Sequence, residues 1–205
     1  IRAQDVHSVD DLKTLENTIR GQELKPLPFM LCVTNLILHD IEVPNVINGD
    51  SLNREYTSIG AKDRVDVILA NPPFGASVSD GVETNYPAQF RTTESADLFL
   101  LLMIRYLREG GRAAIVLPDG ILTNSSMQYV RDFILEKFQL IAVVSLPQCA
   151  FAHFGAGVKA SIIFVRKRGA AEDINCEEAI FMAAPELIGY DATGRKTESQ
   201  FDEIV

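Results

Sequence analysis

The chain has 205 residues, of which 47% are apolar and 23% charged, a size and balance that fit one globular domain or one domain with an appendage. Lys and Arg number 19 against 28 Asp and Glu, a net charge of -9. The surface as a whole therefore repels a polyanion, which argues against unaided nucleic-acid binding unless basic groups are concentrated locally or supplied by a partner. No run of about 18 uncharged apolar residues occurs, and IRAQDVHSVDDLK carries acidic groups where an export leader needs a basic and then an apolar stretch. Membrane spanning and export are disfavoured, and a cytoplasmic setting is expected. Cys32, Cys149 and Cys176 are far apart and odd in number, without CxxC spacing, which points to a reducing compartment and against structural zinc.

In chain order, the periodicity predicts a short helix over about Val9 to Glu16, a weak strand at Thr18 to Gln22, and a helix over about Pro26 to His39. A second weak strand follows at Val46 to Asn48, then a continuous apolar strand at Val65 to Ala70. The segment from Gly75 to Thr93 has no clear period, and loops of that length are usually functional or disordered. Ser95 to Glu109 reads as the clearest helix, with Ser95 able to cap its start, Asp97 in its first turn, and Gly110-Gly111 as its stop. A strand at Ala113 to Leu117 precedes a helix over about Ser126 to Phe138, capped by Asn124 or Ser125. Three more apolar runs, Ile141 to Leu146, Ser161 to Val165 and Ile180 to Ala183, complete the strands. Such runs suit a mostly parallel sheet covered on both faces by helices, an open α/β fold in which ligands bind beyond the carboxyl ends of the strands.

Read for chemistry at that edge, the most informative residues are Asn71-Pro72-Pro73-Phe74, which follow Val65 to Ala70 directly. Two prolines fix two φ angles, remove two N-H donors, and leave the Pro72 carbonyl free to face a ligand. The Asn71 side-chain oxygen supplies a second acceptor, and Phe74 a flat face. Two rigid acceptors and a ring suit an amino group on a planar heterocycle. The same residues also fit a plain strand terminator with a core phenylalanine. The three histidines, His7, His39 and His153, have no metal-ligand spacing, so metal catalysis is not expected. Pro118-Asp119-Gly120 lies on the ligand side but reads as a turn, and Arg166-Lys167-Arg168 reads as a solvated basic end of a strand.

The tetrapeptide resembles the NPPF signature of S-adenosylmethionine-dependent amino-group methyltransferases, specifically the DNA adenine-N6 methylases. NPPFG, RTTESADLFLL, REGGRAAIVLPDGIL and the later LPQCAFAHFGAGVKASIIFVRKR look like the modification (M) subunit of type I restriction-modification systems. The likeness covers about Gly21 to Val165. It implies a Rossmann-like methyltransferase fold with strand order 3-2-1-4-5-7-6, S-adenosylmethionine as cofactor, and DNA as substrate. It also implies specificity and restriction subunits as partners.

Residue by residue, the resemblance makes Asn71, Pro72, Pro73 and Phe74 the catalytic turn, with Phe74 stacked on a flipped-out adenine. It puts Glu23 on the cofactor ribose and Asp50 on the cofactor's adenine amino group. Without it, both carboxylates are more often solvated turn or cap groups. An aromatic after Pro147 forms the second face of the base pocket: Phe151, with Phe154 as the substitute. The family's glycine-rich cofactor loop belongs before Glu23, and Ile1 to Arg20 contains no glycine. The chain is therefore expected to be a fragment lacking the first strand and inactive alone. Residues 1–170 are read as a partial catalytic domain, and 171–205 as a C-terminal strand and extension of the same domain. Protein-glutamine or RNA-base methylation, or a catalytically silent scaffold, are the alternatives.

Overall fold

A computed structural model describes residues 7–88, 94–174 and 177–204. The end of the long aperiodic segment, 89–93, and Cys176 lie outside the described residues. The chain divides into two compact units, with the break between Arg54 and Glu55.

In the first unit, α1 (Val9–Thr18) is capped by Ser8, whose Oγ accepts from the Asp11 backbone N-H at 3.1 Å and donates to the Asp11 carboxylate at 2.7 Å. Strand β1 (Arg20–Glu23) leads through α2 (Pro26–Leu38) to β2 (Asn45–Asn48), and the strands pair in parallel with Glu23 opposite Asn48. Pro26 opens α2, where its missing N-H is no loss. Leu27, Met30, Leu31, Ile37 and Leu38 of this apolar helix are exposed.

The second unit holds a five-stranded sheet in the order β3-β4-β6-β5-β7. Its strands are β3 (Val65–Ala70), β4 (Leu107–Pro118), β5 (Phe138–Ser145), β6 (Ala160–Lys167) and β7 (Phe181–Ala183). Four strands run one way; β6, between β4 and β5, runs against both neighbours. The pair β2-β1 and the run β3-β4-β6-β5 reproduce the 3-2 and 4-5-7-6 segments of the order implied by the resemblance. No counterpart of that family's first strand is found among the described residues. Because β6 is reversed, the link from β5 enters it at the carboxyl edge of the other strands, and the residues from Leu146 to Lys159 lie along that edge.

Helices α3 (Ser95–Tyr106), α4 (Asp119–Thr123) and α5 (Gln128–Lys137) pack on one face of the sheet. Alternate strand residues Ala113, Ile115, Leu117, Ile163 and Val165 meet Leu100, Met103, Ile121, Val130 and Ile134 there. The other face, through Val116, Val144, Ile162 and Phe164, receives Ile188, Tyr190 and Phe201. These come from a hairpin of β8 (Ile188–Tyr190) and β9 (Lys196–Ser199) and from the short α6 (Phe201–Ile204).

Several local expectations are corrected. Ser95 does not cap α3: Glu94 occupies the cap position without a side-chain bond. Nor does Gly110-Gly111 stop that helix, which ends at Tyr106; Leu107 is already extended and fully buried against β3. The glycines instead lie in a bulge, where the register slips from Val65 opposite Leu107 to Val67 opposite Arg112. A Cβ on Gly111 would come within 2.7 Å of Leu107 and 3.0 Å of the Asp66 carbonyl, so the close approach requires glycine. Asn124 caps only the 3-10 turn Ser125–Met127, accepting from the Ser126 N-H at 3.0 Å, while α5 itself starts after Met127 without a side-chain cap. Pro118-Asp119-Gly120 leads into α4 rather than forming an isolated turn.

The Arg166-Lys167-Arg168 run is not a solvated end. Arg166 binds Gln139 and Glu172, and Lys167 donates to the carbonyls of Ile104 and Leu107 at 2.6 and 2.8 Å. Arg168, with its side chain 5% exposed, forks onto Glu178 at 2.9 and 2.6 Å. The three basic groups fasten the end of β6 to α3 and to the segment leading to β7. A charge count cannot see this, because the partners lie up to 63 residues away.

Candidate active site at the carboxyl edge of the sheet

Strand β3 delivers Asn71 to the edge with its side chain exposed, while Pro72 is buried and Phe74 half-buried. Neither the Asn71 side chain nor the Pro72 carbonyl has a hydrogen-bond partner among the described residues. The Pro73 carbonyl is already used: it accepts from Ser95 Oγ at 3.0 Å. The Ser95 N-H donates to the Ala76 carbonyl at 3.1 Å, and Ser77 pairs with Glu94 in an isolated antiparallel bridge. Ser95, 4% exposed, therefore pins the turn to the start of α3. Gly75, at φ +60°, allows the reversal that makes this possible. The first part of the aperiodic segment is also anchored, by buried Val82 and Tyr86.

Across the edge, the Phe151 ring meets Phe74 edge to face, with centroids 5.2 Å apart and planes at 83°. Phe154 is 69% exposed and lies against His153 instead, with ring centroids 3.7 Å apart and planes tilted by 44°. The link that carries Phe151 is held from within: Gln148 donates to the Gly157 carbonyl at 2.7 Å, and the Phe151 carbonyl accepts from Ala156 and Phe154.

Sequence reasoning missed a polar cluster at this same edge. Asp119 accepts from Ser161 Oγ at 2.7 Å and pairs with Lys159 at 3.1 Å, and Lys159 also donates to Ser145 Oγ at 2.5 Å. The ends of β4 and β5 and the start of β6 are thereby tied together. The only local signal was the position of Asp119 directly after a strand. Behind the turn, in the first helical turn of α3, Asp97 is buried with its Oδ1 unsatisfied. Burial raises its carboxyl above the ordinary value, the nearby Glu94 adds to this, and a hydrogen bond with Tyr129 opposes it.

In the first unit, Glu23 ends β1 and Asp50 follows β2, so the parallel pairing places both carboxylates at one edge. One oxygen of each serves the backbone: Glu23 Oε1 accepts from the Lys25 N-H at 2.8 Å, and Asp50 Oδ1 from the Leu52 N-H at 2.9 Å. The remaining oxygens make no hydrogen bond among the described residues. Two carboxylates with spare acceptors on adjacent strand ends fit the diol and amino group of a nucleoside. Among the described residues no group of three His, Cys, Asp or Glu is placed to hold a metal ion, and no helix is long and apolar enough to cross a membrane.

Parallel strands joined by helices, with one reversed strand among them, are the architecture of Rossmann-like, S-adenosylmethionine-dependent methyltransferases. The chain matches the model of the N-6 DNA methylase family over residues 1–204 and belongs to that family. It is 44% identical over 164 residues to the EcoEI type I restriction enzyme methylase subunit of Escherichia coli, covering 79% of this chain and 33% of that protein. Among solved structures it resembles a modification subunit ascribed to a type I restriction enzyme of Vibrio vulnificus YJ016. There the TM-score is 0.74 at 32% identity, over 97% of this chain and 41% of the other. It also resembles a chain from a type I restriction-modification system examined for complex assembly, with a TM-score of 0.80 at 28% identity, over 98% and 41%. The chain thus spans about a third of the curated relative's length.

Proposed function

We propose that this chain carries the catalytic turn of a methyltransferase that modifies the N6 amino group of adenine in DNA, as part of a type I restriction-modification complex. The observation that supports this most directly is the pair of unspent acceptors, Asn71 and the Pro72 carbonyl, beside the Phe74 and Phe151 rings. An adenine amino group has its lone pair delocalised into the ring and is a poor nucleophile. Accepting both of its hydrogens in a fixed arrangement favours localising that pair on nitrogen, so orientation and stabilisation of developing charge supply the rate. When bound, S-adenosylmethionine supplies the electrophilic methyl group on its sulfonium. The nitrogen-carbon bond would form as the sulfur-carbon bond breaks, the rest of the cofactor would leave as a neutral thioether, and the nitrogen would afterwards give up a proton to water, so that no strong base on the protein is needed.

The target must leave the duplex, since its amino group is paired inside, and Phe74 with Phe151 would hold it outside the stack. Glu23 and Asp50 would hold the ribose and adenine of the cofactor. Residues 1–170 would form part of the catalytic domain, with 171–205 an extension of it, a reading supported by the pairing of β7 with β5. Sequence recognition would reside in a separate specificity subunit, and a restriction subunit would complete the assembly. The net charge of -9 and the likeness to type I methylase subunits support this division.

The test is Asn71→Ala in the full-length protein within its complex, with labelled S-adenosylmethionine and DNA, RNA or protein as acceptor. Methyl transfer to DNA is expected to fall at least about 100-fold, the usual loss for a preorganised polar contact to the reacting group, while cofactor affinity is kept. Wild-type transfer by the variant, or labelling of protein or RNA but not DNA, overturns the assignment.

A further inference from the structure

The hairpin of β8 and β9 lies outside the five-stranded sheet, and the reaction described above makes no use of it. Yet it touches the link that carries Phe151 on both sides of that residue. Tyr190 Oη donates to the carbonyl of Ala150, the residue before Phe151, at 2.9 Å, and Ala150 is 2% exposed. The Tyr190 ring meets His153 edge to face at 5.6 Å. At the hairpin tip, Gly194 lies so close to His153 that a Cβ would stand 3.1 Å from its ring. The tip itself is firm: Asp191 Oδ1 accepts from the Thr193 N-H, the Thr193 hydroxyl and the Arg195 N-H at 2.8, 2.6 and 3.0 Å. Tyr190→Phe would keep the ring contact and remove only the hydroxyl that reaches the carbonyl.

We propose that Tyr190 is a positioning residue that sets Phe151 opposite Phe74 through the Ala150 carbonyl, so that the C-terminal hairpin governs how well an extruded base is held. The inference rests on the base-pocket reading given above. A fixed Phe151 backbone holds the ring beside Phe74, from which the two part to admit a base, whereas a loosened one lets the ring drift and lowers the population of the extruded state. Tyr190 touches no reacting group.

The experiment compares Tyr190→Phe, Phe151→Ala and wild type as full-length protein in its complex, on duplexes carrying 2-aminopurine at the target position and on ordinary duplexes. Tyr190→Phe is expected to lower both the 2-aminopurine signal of extrusion and kcat by about five-fold, the share of one neutral hydrogen bond. KM for DNA and the affinity for S-adenosylmethionine should stay at wild-type values. The kcat defect should shrink on a duplex with a mismatched target, because extrusion then costs less; a general packing defect would not respond to the mismatch. Wild-type extrusion and kcat in Tyr190→Phe overturn the proposal, as does a defect of equal size on matched and mismatched targets. If Phe151→Ala behaves as wild type, the base-pocket reading fails and the proposal with it. If Phe151→Ala is impaired and Tyr190→Phe is not, only the positioning role fails.

Discussion

At 5.2 Å between centroids, Phe74 and Phe151 touch each other, and no base fits between them. A base stacked on both faces needs the rings about 7 Å apart, two van der Waals layers. Base entry therefore gives up the ring pair, about 0.5–1.5 kcal/mol, and gains about 1–3 kcal/mol for each face stacked. Removing either ring alone loses one stacking contact but also abolishes the cost of parting the pair. Removing both loses two contacts and abolishes that same cost only once. The double variant Phe74→Ala/Phe151→Ala should therefore be worse than the sum of the two single losses by the pair energy, roughly two- to thirteen-fold in kcat/KM. The assay is methyl transfer to a short duplex by the full-length complex, with thermal unfolding of each variant to remove the contribution of Phe151 to the core it packs against. A double variant whose loss equals or falls below the sum of the single losses refutes the idea that both rings enclose the same base.

Ser95→Ala removes the hydrogen bond to the Pro73 carbonyl and should lower kcat about five-fold with little change in cofactor affinity, measured in the same assay; an unchanged kcat means the prolines alone hold the turn. Asp97→Asn should stabilise the protein at neutral pH. The folded carboxyl has a raised pKa, so its ionised form is disfavoured above that value, and the gain in Tm should vanish as pH falls and wild-type Asp97 protonates. Glu172 behaves oppositely. Its hydrogen bonds to Arg166 and to the Gly169 N-H depress it to about 2, so its stabilisation is complete above the ordinary carboxylate range and is lost as pH falls from about 4.5 towards 2. Arg168→Met should lower Tm by leaving Glu178 unpaired, and Arg168→Met/Glu178→Leu should recover most of the loss.

The strands of the second unit were legible because a continuous Val- and Ile-rich run bounded by turn formers has few other fates: Val65 to Ala70 is a strand over that range. The end of α3 was not, because helical periodicity in Leu-Arg-Glu cannot reveal that Val65 pairs with Leu107 and draws it out of the helix. β8 and β9 were invisible for a different reason. Four exposed residues, Lys196 to Ser199, and a three-residue partner carry no alternation strong enough to read. Of the candidate site, composition and position singled out Asn71 to Phe74 but left two readings open, a ligand-facing turn and a plain strand terminator. The meeting of Phe74 with Phe151, 77 positions along the chain, became an expectation only through the family resemblance. The contacts of Ser95 and Tyr190 were hidden, since both are made to backbone carbonyls, which have no letter in a sequence.

The reversed strand β6 has a consequence for how such a fold can diversify. A parallel strand in its place would have to be entered from the far edge, through a crossover whose length is tied to the packing of a helix. Entered from the working edge, it leaves a connector whose stretch from Phe154 to Val158 is largely exposed and can change in length while Leu146 and Ala150 stay in the core. Mutational tolerance and closeness to the candidate site thus coincide in one segment, where insertions can reshape the rim without disturbing how the chain folds.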